Sequence, residues 1–298
     1  MKIVRIKKIN LLLLIILTFC ILGVFRVSAQ KYPNEFSIYC EGGYAAFIFQ
    51  KAISKTTSSK GYGGDAGVGF TYFFSQNLGL HTSVGVGFFN VNNQLRQLAF
   101  IMLKLEDCEG YLYDLHTTLN NYNENHKSIF VSLPLMLQYQ TKLEPISNQK
   151  KNNKAGFYAM MGAKALFLLN NNYTSKTTSL SNAAYYPEFD TWINSQPALG
   201  LGSFKGCSVN GKLDFNVLIM FAFEAGIKWQ IGKKLFLYTG AYFDCGLHDT
   251  TKKARVPYNS FTTQEPPTDL ALLEFAKRMN LMAVGIKVRL AFVGSKSH

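Results

Sequence analysis

The chain has 298 residues, with 31 Lys and Arg against 18 Asp and Glu, for a formal net charge of +13. Charged residues make up only 16% and aromatic residues 14%, with 24 glycines. These proportions exclude a disordered chain, a coiled coil and a collagen, and a mean hydropathy of +0.03 excludes a polytopic helical membrane protein. A β-rich protein remains, either water-soluble or with its membrane face spread over alternating residues.

Lys2, Arg5, Lys7 and Lys8 precede an uncharged apolar run from Leu11 to Phe25. Val27-Ser28-Ala29 then offers small residues before Gln30, the layout of a secretory signal peptide cleaved between Ala29 and Gln30. The apolar run is short for a membrane span of about 20 residues. Phe19 before Cys20 argues against lipoprotein processing. Residues 1–29 are thus read as the signal and 30–298 as one domain. Their removal takes away five cations and no acid, lowering the net charge from +13 to +8. The remaining cations, such as Lys51, Lys55 and Lys60 and then Lys150, Lys151 and Lys154, are scattered. Without a basic block interleaved with aromatics, no nucleic-acid partner is expected.

Beyond Gln30 the dominant signal is period-2 alternation, which puts successive side chains on opposite faces of a strand. From Leu78 to Phe88, Leu78, Leu80, Thr82, Val84, Val86 and Phe88 oppose Gly79, His81, Ser83, Gly85 and Gly87. The same pattern occupies 62–74, 128–140, 215–231 and 280–292, and weaker versions fill 36–49, 155–169 and 234–247. These make about eight strands, each long enough for the roughly 9–11 residues of a tilted membrane strand.

A soluble β-sandwich or lipocalin-type barrel would alternate too, with its apolar face inward. Two features favour the membrane. The non-apolar face is crowded with Gly and carries both charge signs, which suits a narrow filled lumen, since Gly weakens an ordinary strand. The connections also alternate in length: 74–77 and 232–233 are tight, whereas 93–126, 172–213 and 248–277 are long. The fold expected is an all-β, antiparallel eight-stranded transmembrane β-barrel with short periplasmic turns and long extracellular loops. With the N-terminus in the periplasm, 51–61, 93–126, 172–213 and 248–277 face outward, and 143–153 faces the periplasm despite its length. Closure is also what the backbone demands, because an open sheet edge in hydrocarbon leaves N–H and C=O groups unpaired.

The inner face collects Glu41, Asp65, Glu224 and Asp244 against Lys164, Lys228, Lys287 and Arg289. Strand position suggests Lys164 or Lys228 beside Glu224, and Glu41 near Lys287 and Arg289. A barrel this small is filled by side chains, so the reading is a paired plug rather than a pore. His81 belongs to the same hydrogen-bonded lumen. His126, His248 and Asp249 stand at loop ends and are the residues on which a rim-located hydrolase would rest. Adjacent His and Asp on a strand point to opposite faces, however, and a rim His is ordinarily just solvated. With no Gly-x-Ser-x-Gly, His-Glu-x-x-His or Cys-x-x-Cys, no catalytic residue, metal or cofactor is expected.

Leu98 to Leu105 is unusually apolar for a loop. It is expected to form a short helix over the barrel mouth, or else a contact with a partner or the membrane surface. Residues 172–200 have the Asn, Thr, Ser and Tyr content of a binding loop. Cys40 and Cys245 share the outward face at different heights, too far apart to bridge. Cys108 and Cys207 lie in two long outer loops, where a disulfide or two unpaired thiols are both open.

Ser128-Ile129-Phe130-Val131-Ser132-Leu133-Pro134-Leu135-Met136-Leu137-Gln138-Tyr139 resembles the strand with a mid-strand Pro in outer-membrane β-barrel proteins of Bacteroidetes-type bacteria. Gly156 to Lys164 and Leu237 to Asp244 are similar to strands of that family and of the barrel half of OmpA-like porin-family proteins. The resemblance covers roughly residues 30–292, and its motifs are strand-level. It implies an eight-stranded outer-membrane barrel without a single biochemical activity. It also implies that barrel-assembly machinery reads the closing strand at Ile286, Val288, Leu290 and Phe292, although Val293 to His298 trail behind. No peptidoglycan-binding domain follows Phe292, so cell-wall tethering is not carried over.

The function expected is a non-enzymatic envelope protein of a Gram-negative outer membrane, with a structural or surface-interaction role. Its partners are outer-membrane lipid, the assembly machinery and an extracellular ligand or protein on 93–126 and 172–213. A narrow porin for ions or small solutes is the first alternative, and the rim hydrolase the second.

Overall fold

The structure is a computed structural model that describes residues 32–50, 57–145, 154–212, 217–247 and 278–293. The signal segment with Ala29 and Gln30, the pair His248 and Asp249, and the whole of 248–277 lie outside the described residues.

In chain order the strands are β1 (Glu35–Gln50), β2 (Thr57–Phe73), β3 (Leu78–Glu106), β4 (Leu112–Gln140) and β5 (Glu144–Pro145). They continue with β6 (Lys154–Tyr186), β7 (Thr191–Ile193), β8 (Gly202–Lys212), β9 (Leu218–Gln230), β10 (Leu235–Gly246) and β11 (Arg278–Val293). Eight of them close a ring in the order β1-β2-β3-β4-β6-β9-β10-β11, with β11 returning to β1 and β4 pairing with β6. All these pairings are antiparallel, as the period-2 pattern predicts. The short strands β5, β7 and β8 add onto β6.

The outward face is apolar and exposed, the reverse of a water-soluble barrel. On β4 it runs through Ile129, Val131, Leu133, Leu135, Leu137 and Tyr139, and Ile129, Leu135, Leu137 and Tyr139 are all exposed. That length of tilted strand covers about 25 Å, the height of the hydrocarbon-facing band of an outer-membrane barrel. Rings frame the belt: Tyr44, Tyr62 and Phe88 stand toward the long hairpins, and Phe36, Tyr72, Tyr139 and Phe292 toward the short turns.

Two expected loops are not loops. The 93–126 segment is the outer part of the β3–β4 hairpin, and only Asp107–Tyr111 connects the strands. The 172–213 segment continues β6 to Tyr186 and returns as β7 and β8. Leu98 to Leu105 is accordingly strand rather than helix, and Leu98 is buried beside Leu95, Leu119, Tyr122 and Leu180. A sheet of β3, β4, β6 and β8 therefore rises beyond the belt. It carries that core and a second one of Tyr113, Leu115, Ala184 and Leu201.

One irregular row crosses this sheet. On β3 and β4 pairing runs to Leu95 opposite Tyr122 and resumes at Gln97 opposite Asn120, skipping Arg96 and Asn121. On β6 and β8 it lapses at Thr178 and Gly206. Asn121 has φ 50° and Gly206 φ 57°, left-handed conformations that Asn and Gly accept most readily. Below the row β4 buries Tyr122, Glu124 and His126, and above it Leu119, Thr117 and Leu115. The parity of buried positions changes there.

Candidate functional site

The inner face is a stack of layers. Nearest the short turns, Lys228 Nζ lies 2.6 Å from Glu35 Oε1 and donates to Gln140 Oε1 at 2.9 Å. Tyr238 donates its hydroxyl to Glu35 Oε2 at 2.5 Å. Arg289, fully buried, donates to Gln138 Oε1 and to His81 Nδ1, each at 3.2 Å, with its guanidinium 4.1 Å over the Tyr238 ring.

At mid-height Lys164 Nζ reaches Glu41 Oε1 at 2.5 Å, Asp244 Oδ2 at 2.9 Å and Asp65 Oδ2 at 3.9 Å. Lys287 Nζ joins Glu41 Oε2 at 3.0 Å to Glu224 Oε2 at 3.1 Å, so Glu41 bridges two lysines. Tyr158 donates to Glu224 Oε1 at 2.8 Å, and Ser132 donates to Asp65 Oδ2 at 2.5 Å. Toward the long hairpins an apolar layer of Phe47, Phe89, Phe130, Leu166, Met220 and Leu281 lies over the charges. Glu124 lies beyond it, bonded to His126 Nε2 at 2.5 Å and to the Tyr122 hydroxyl.

The glycines opposite these bulky groups explain why so small a ring holds them. A Cβ on Gly85 would stand 2.2 Å from the Tyr39 hydroxyl and 2.3 Å from Asp65 Oδ1. One on Gly240 would meet the Tyr158 hydroxyl at 2.5 Å, and one on Gly87 the Phe130 ring at 2.5 Å. The Gly-rich inner face noted in the sequence is thus space filled by bulky side chains of strands one or two places away in the ring.

All eight inner-face charges singled out in the sequence are buried. Glu41 meets Lys287 as expected, but the other partners differ from the expected ones. Glu224 pairs with Lys287, not with Lys164 or Lys228, because Lys164 reaches the carboxylates of β1 and β10. Arg289 turns to His81 and Gln138 rather than to Glu41. Lys228 pairs with Glu35, which the sequence reading left out by starting the strand one residue late. Glu35 shares the parity of Ser37, Tyr39 and Glu41, and that was the available signal. Among the described residues the inner acids below the apolar layer therefore number five against four bases, not four against four, and Glu124 is a further buried acid above it. His126 is buried and holds Glu124, so it is not a solvated rim residue.

On the closing strand Ile286, Val288 and Phe292 are exposed and Leu290 is half-buried. At the far end of the sheet, the rings of Tyr111 and Phe189 are 5.1 Å apart. Trp192 lies 4.6 Å from His116 and 5.0 Å from Tyr185, while Tyr111, Leu112, Phe189 and Trp192 are all exposed. The tip is tied at Asp107, whose Oδ1 accepts the backbone N–H groups of Glu109 and Tyr111 at 2.9 Å each. Its Oδ2 accepts the Tyr186 hydroxyl at 3.1 Å. Desolvation pushes the Asp107 carboxyl up, but these donors together hold it below its ordinary range.

Cys108 at this tip is free, as are Cys40 and Cys245. The Cys108–Cys207 bridge left open by the sequence is not formed. The backbone of Cys207 pairs with Thr177, far down β6 from the Tyr186 that meets the tip.

Residues 28–252 match the family described as outer membrane protein beta-barrel domain. No curated protein matches the sequence. Among solved structures the chain is similar to the attachment invasion locus protein Ail of Yersinia pestis, at 9% identity and a TM-score of 0.25, covering 88% of this chain and 100% of that one. It is similar to OprG of Pseudomonas aeruginosa, at 10% identity and a TM-score of 0.29, covering 87% and 93%. It is also similar to the Neisserial surface protein A, at 10% identity and a TM-score of 0.33, covering 86% and 97%.

Proposed function

Because the chain belongs to the outer membrane protein β-barrel domain family and so resides in a Gram-negative outer membrane, we propose that its barrel is a closed base for a surface-interaction platform. The carrying observation is the sheet of β3, β4, β6 and β8, which rises above the belt with its own buried cores and ends on exposed Tyr111, Phe189 and Trp192. A packed sheet presents those rings with little further loss of conformational freedom on binding, and aromatic anchors of this kind dominate binding energy. The filled lumen supports a role without conduction, for its charges are paired and an apolar layer lies across it. In this reading the signal ending at Ala29 exports the chain. The outward row Ile286, Val288 and Phe292 is what the assembly machinery meets, and no catalytic group is needed.

Capture from intact cells tests the platform, using the tagged full chain and a variant with Tyr111, Phe189 and Trp192 all changed to Ala. A partner lost with the rings supports the proposal. A partner set unchanged by the triple variant overturns it. Steady single-channel conductance of the wild-type barrel in a planar bilayer would favour the narrow porin instead.

A further inference from the structure

Directly above the apolar belt, the outward face changes composition within one row. On β4, Ile129 is the uppermost exposed apolar side chain of the belt and Lys127 is the next residue facing outward. The pairing register places Tyr62, Asn90, Lys127, Asn172 and Lys212 side by side across five strands. The next row is Lys60, Asn92, Asn125, Thr174 and Asn210. The third is Ser58, Gln94, Asn123, Lys176 and Ser208.

Four lysines and a lattice of amides and hydroxyls thus cover this band, and no acid faces outward in these rows among the described residues. Neighbouring side chains tie the lattice laterally. Asn125 Nδ2 donates to Asn90 Oδ1 at 2.7 Å, Asn90 Nδ2 to the Tyr62 hydroxyl at 3.2 Å, and Thr174 to Asn210 Oδ1 at 2.7 Å. In the middle row, Asn92 Oδ1 has no partner.

The irregular row bounds the band above. There the left-handed Asn121 opens the ladder, and a cavity of about 370 Å³ lies among Ser58, Gln94, Arg96, Asn121, Tyr122 and Asn123. Arg96 adds a fifth cation, with a planar fork of donors suited to phosphate.

We propose that this band is a docking surface for a phosphate-bearing glycolipid headgroup of the outer leaflet. Charge selects an anion, amides and hydroxyls suit sugar hydroxyls, and the cavity can take a sugar-phosphate unit. Height selects a lipid over a soluble ligand. The band is continuous with the hydrocarbon-facing belt, so a molecule with its acyl chains against Phe88 and Ile129 brings its headgroup to Lys127 and Lys212.

The test uses the full chain in phosphatidylcholine nanodiscs doped with a bisphosphorylated glucosamine-disaccharide lipid. Lipid retained per barrel is read by native mass spectrometry, with the dephosphorylated lipid for comparison. Wild type is expected to retain the phosphorylated lipid preferentially. Each lysine changed to Gln among Lys60, Lys127, Lys176 and Lys212 is expected to lower retention about fivefold, as for cations at an anionic membrane surface. Arg96→Gln is expected to lower it as well. Lys233→Gln with Lys234→Gln, at the short-turn rim, is expected to leave it unchanged. Far-UV circular dichroism identifies any variant that has lost its barrel, and the single substitutions then decide. Retention unchanged when Lys60, Lys127, Lys176 and Lys212 are all changed to Gln together overturns the proposal. So does equal loss at the opposite rim, or equal competition by the same phosphorylated disaccharide without acyl chains.

Discussion

Lys164 Nζ and Glu41 Oε1 meet at 2.5 Å across the full diameter of the barrel. Lys164 is on β6 and Glu41 on β1, four places apart in a ring of eight. Backbone pairing joins each strand only to its neighbours, so this pair and Lys228–Glu35, from β9 to β1, lock opposite walls together.

Lys164→Met should therefore be severe. It leaves Glu41, Asp65 and Asp244 facing one another with only Lys287 beside Glu41. Removing one partner of a buried ion pair costs about 3–5 kcal/mol. Adding Asp244→Leu should recover part of that loss, since it removes a buried carboxylate that Lys164→Met leaves without its cation. Reversible urea unfolding in lipid vesicles gives the four free energies of the cycle. A loss below about 1 kcal/mol for Lys164→Met would show the network to be solvated.

Glycines of the inner and outer faces give a second contrast. Gly85→Ala puts a methyl 2.2 Å from the Tyr39 hydroxyl and 2.3 Å from Asp65 Oδ1, both on buried side chains held by Ser132. Overpacking of that kind costs about 1–3 kcal/mol. Gly42→Ala meets nothing nearer than the Gly63 carbonyl at 3.7 Å, an ordinary contact, and should be nearly neutral. Equal midpoints of the two variants in vesicle unfolding would contradict the interdigitated lumen.

The barrel was legible because Leu78 to Phe88 and Ser128 to Gln140 keep one parity throughout, and so the inward charges could be assigned by counting in twos. The upper sheet was not legible, for a local reason. Counting in twos from His126 and Tyr122 on β4 fails at Asn121, after which the odd residues Leu119, Thr117 and Leu115 are the buried ones. On β6, Tyr173 and Ser175 are buried on one parity, Leu180 and Asn182 on the other. A strand whose parity flips midway reads as aperiodic, hence as loop. Ion-pair partners were misassigned for a different reason: height along a strand can be counted, but reach across a lumen depends on side-chain direction and on which wall has glycine.

The height of the belt can be mapped on a single strand. Val86 on β3 is exposed in mid-belt, and Val86→Arg should impair insertion by about 2–4 kcal/mol. Gln94, on the same face eight residues further, is exposed in the polar band, and Gln94→Arg should cost only about 0–1 kcal/mol, as near an interface. Folding yields into vesicles across a urea series compare the two. Similar penalties at both positions would move the upper edge of the belt beyond Lys127.

Thiol chemistry reports on both the sidedness and the register of the long hairpin. Cys108 is exposed and free at its tip, next to Asp107, which accepts the Tyr186 hydroxyl. The backbone of Cys207 pairs with Thr177, and Tyr186 stands nine residue steps further along the strand. At about 3.3 Å per residue that is about 30 Å, against the roughly 4.4–6.8 Å between Cα atoms that a disulfide needs. A membrane-impermeant maleimide added to intact cells without reductant should therefore label Cys108, and Cys108→Ser should remove that label. Non-reducing peptide maps should show no Cys108–Cys207 cross-link. Labelling of Cys108 only after lysis would place the hairpin on the periplasmic side. A cross-linked peptide would mean that β8 runs along β6 in a different register, and the polar rows built on Asn210 and Lys212 would fall with it.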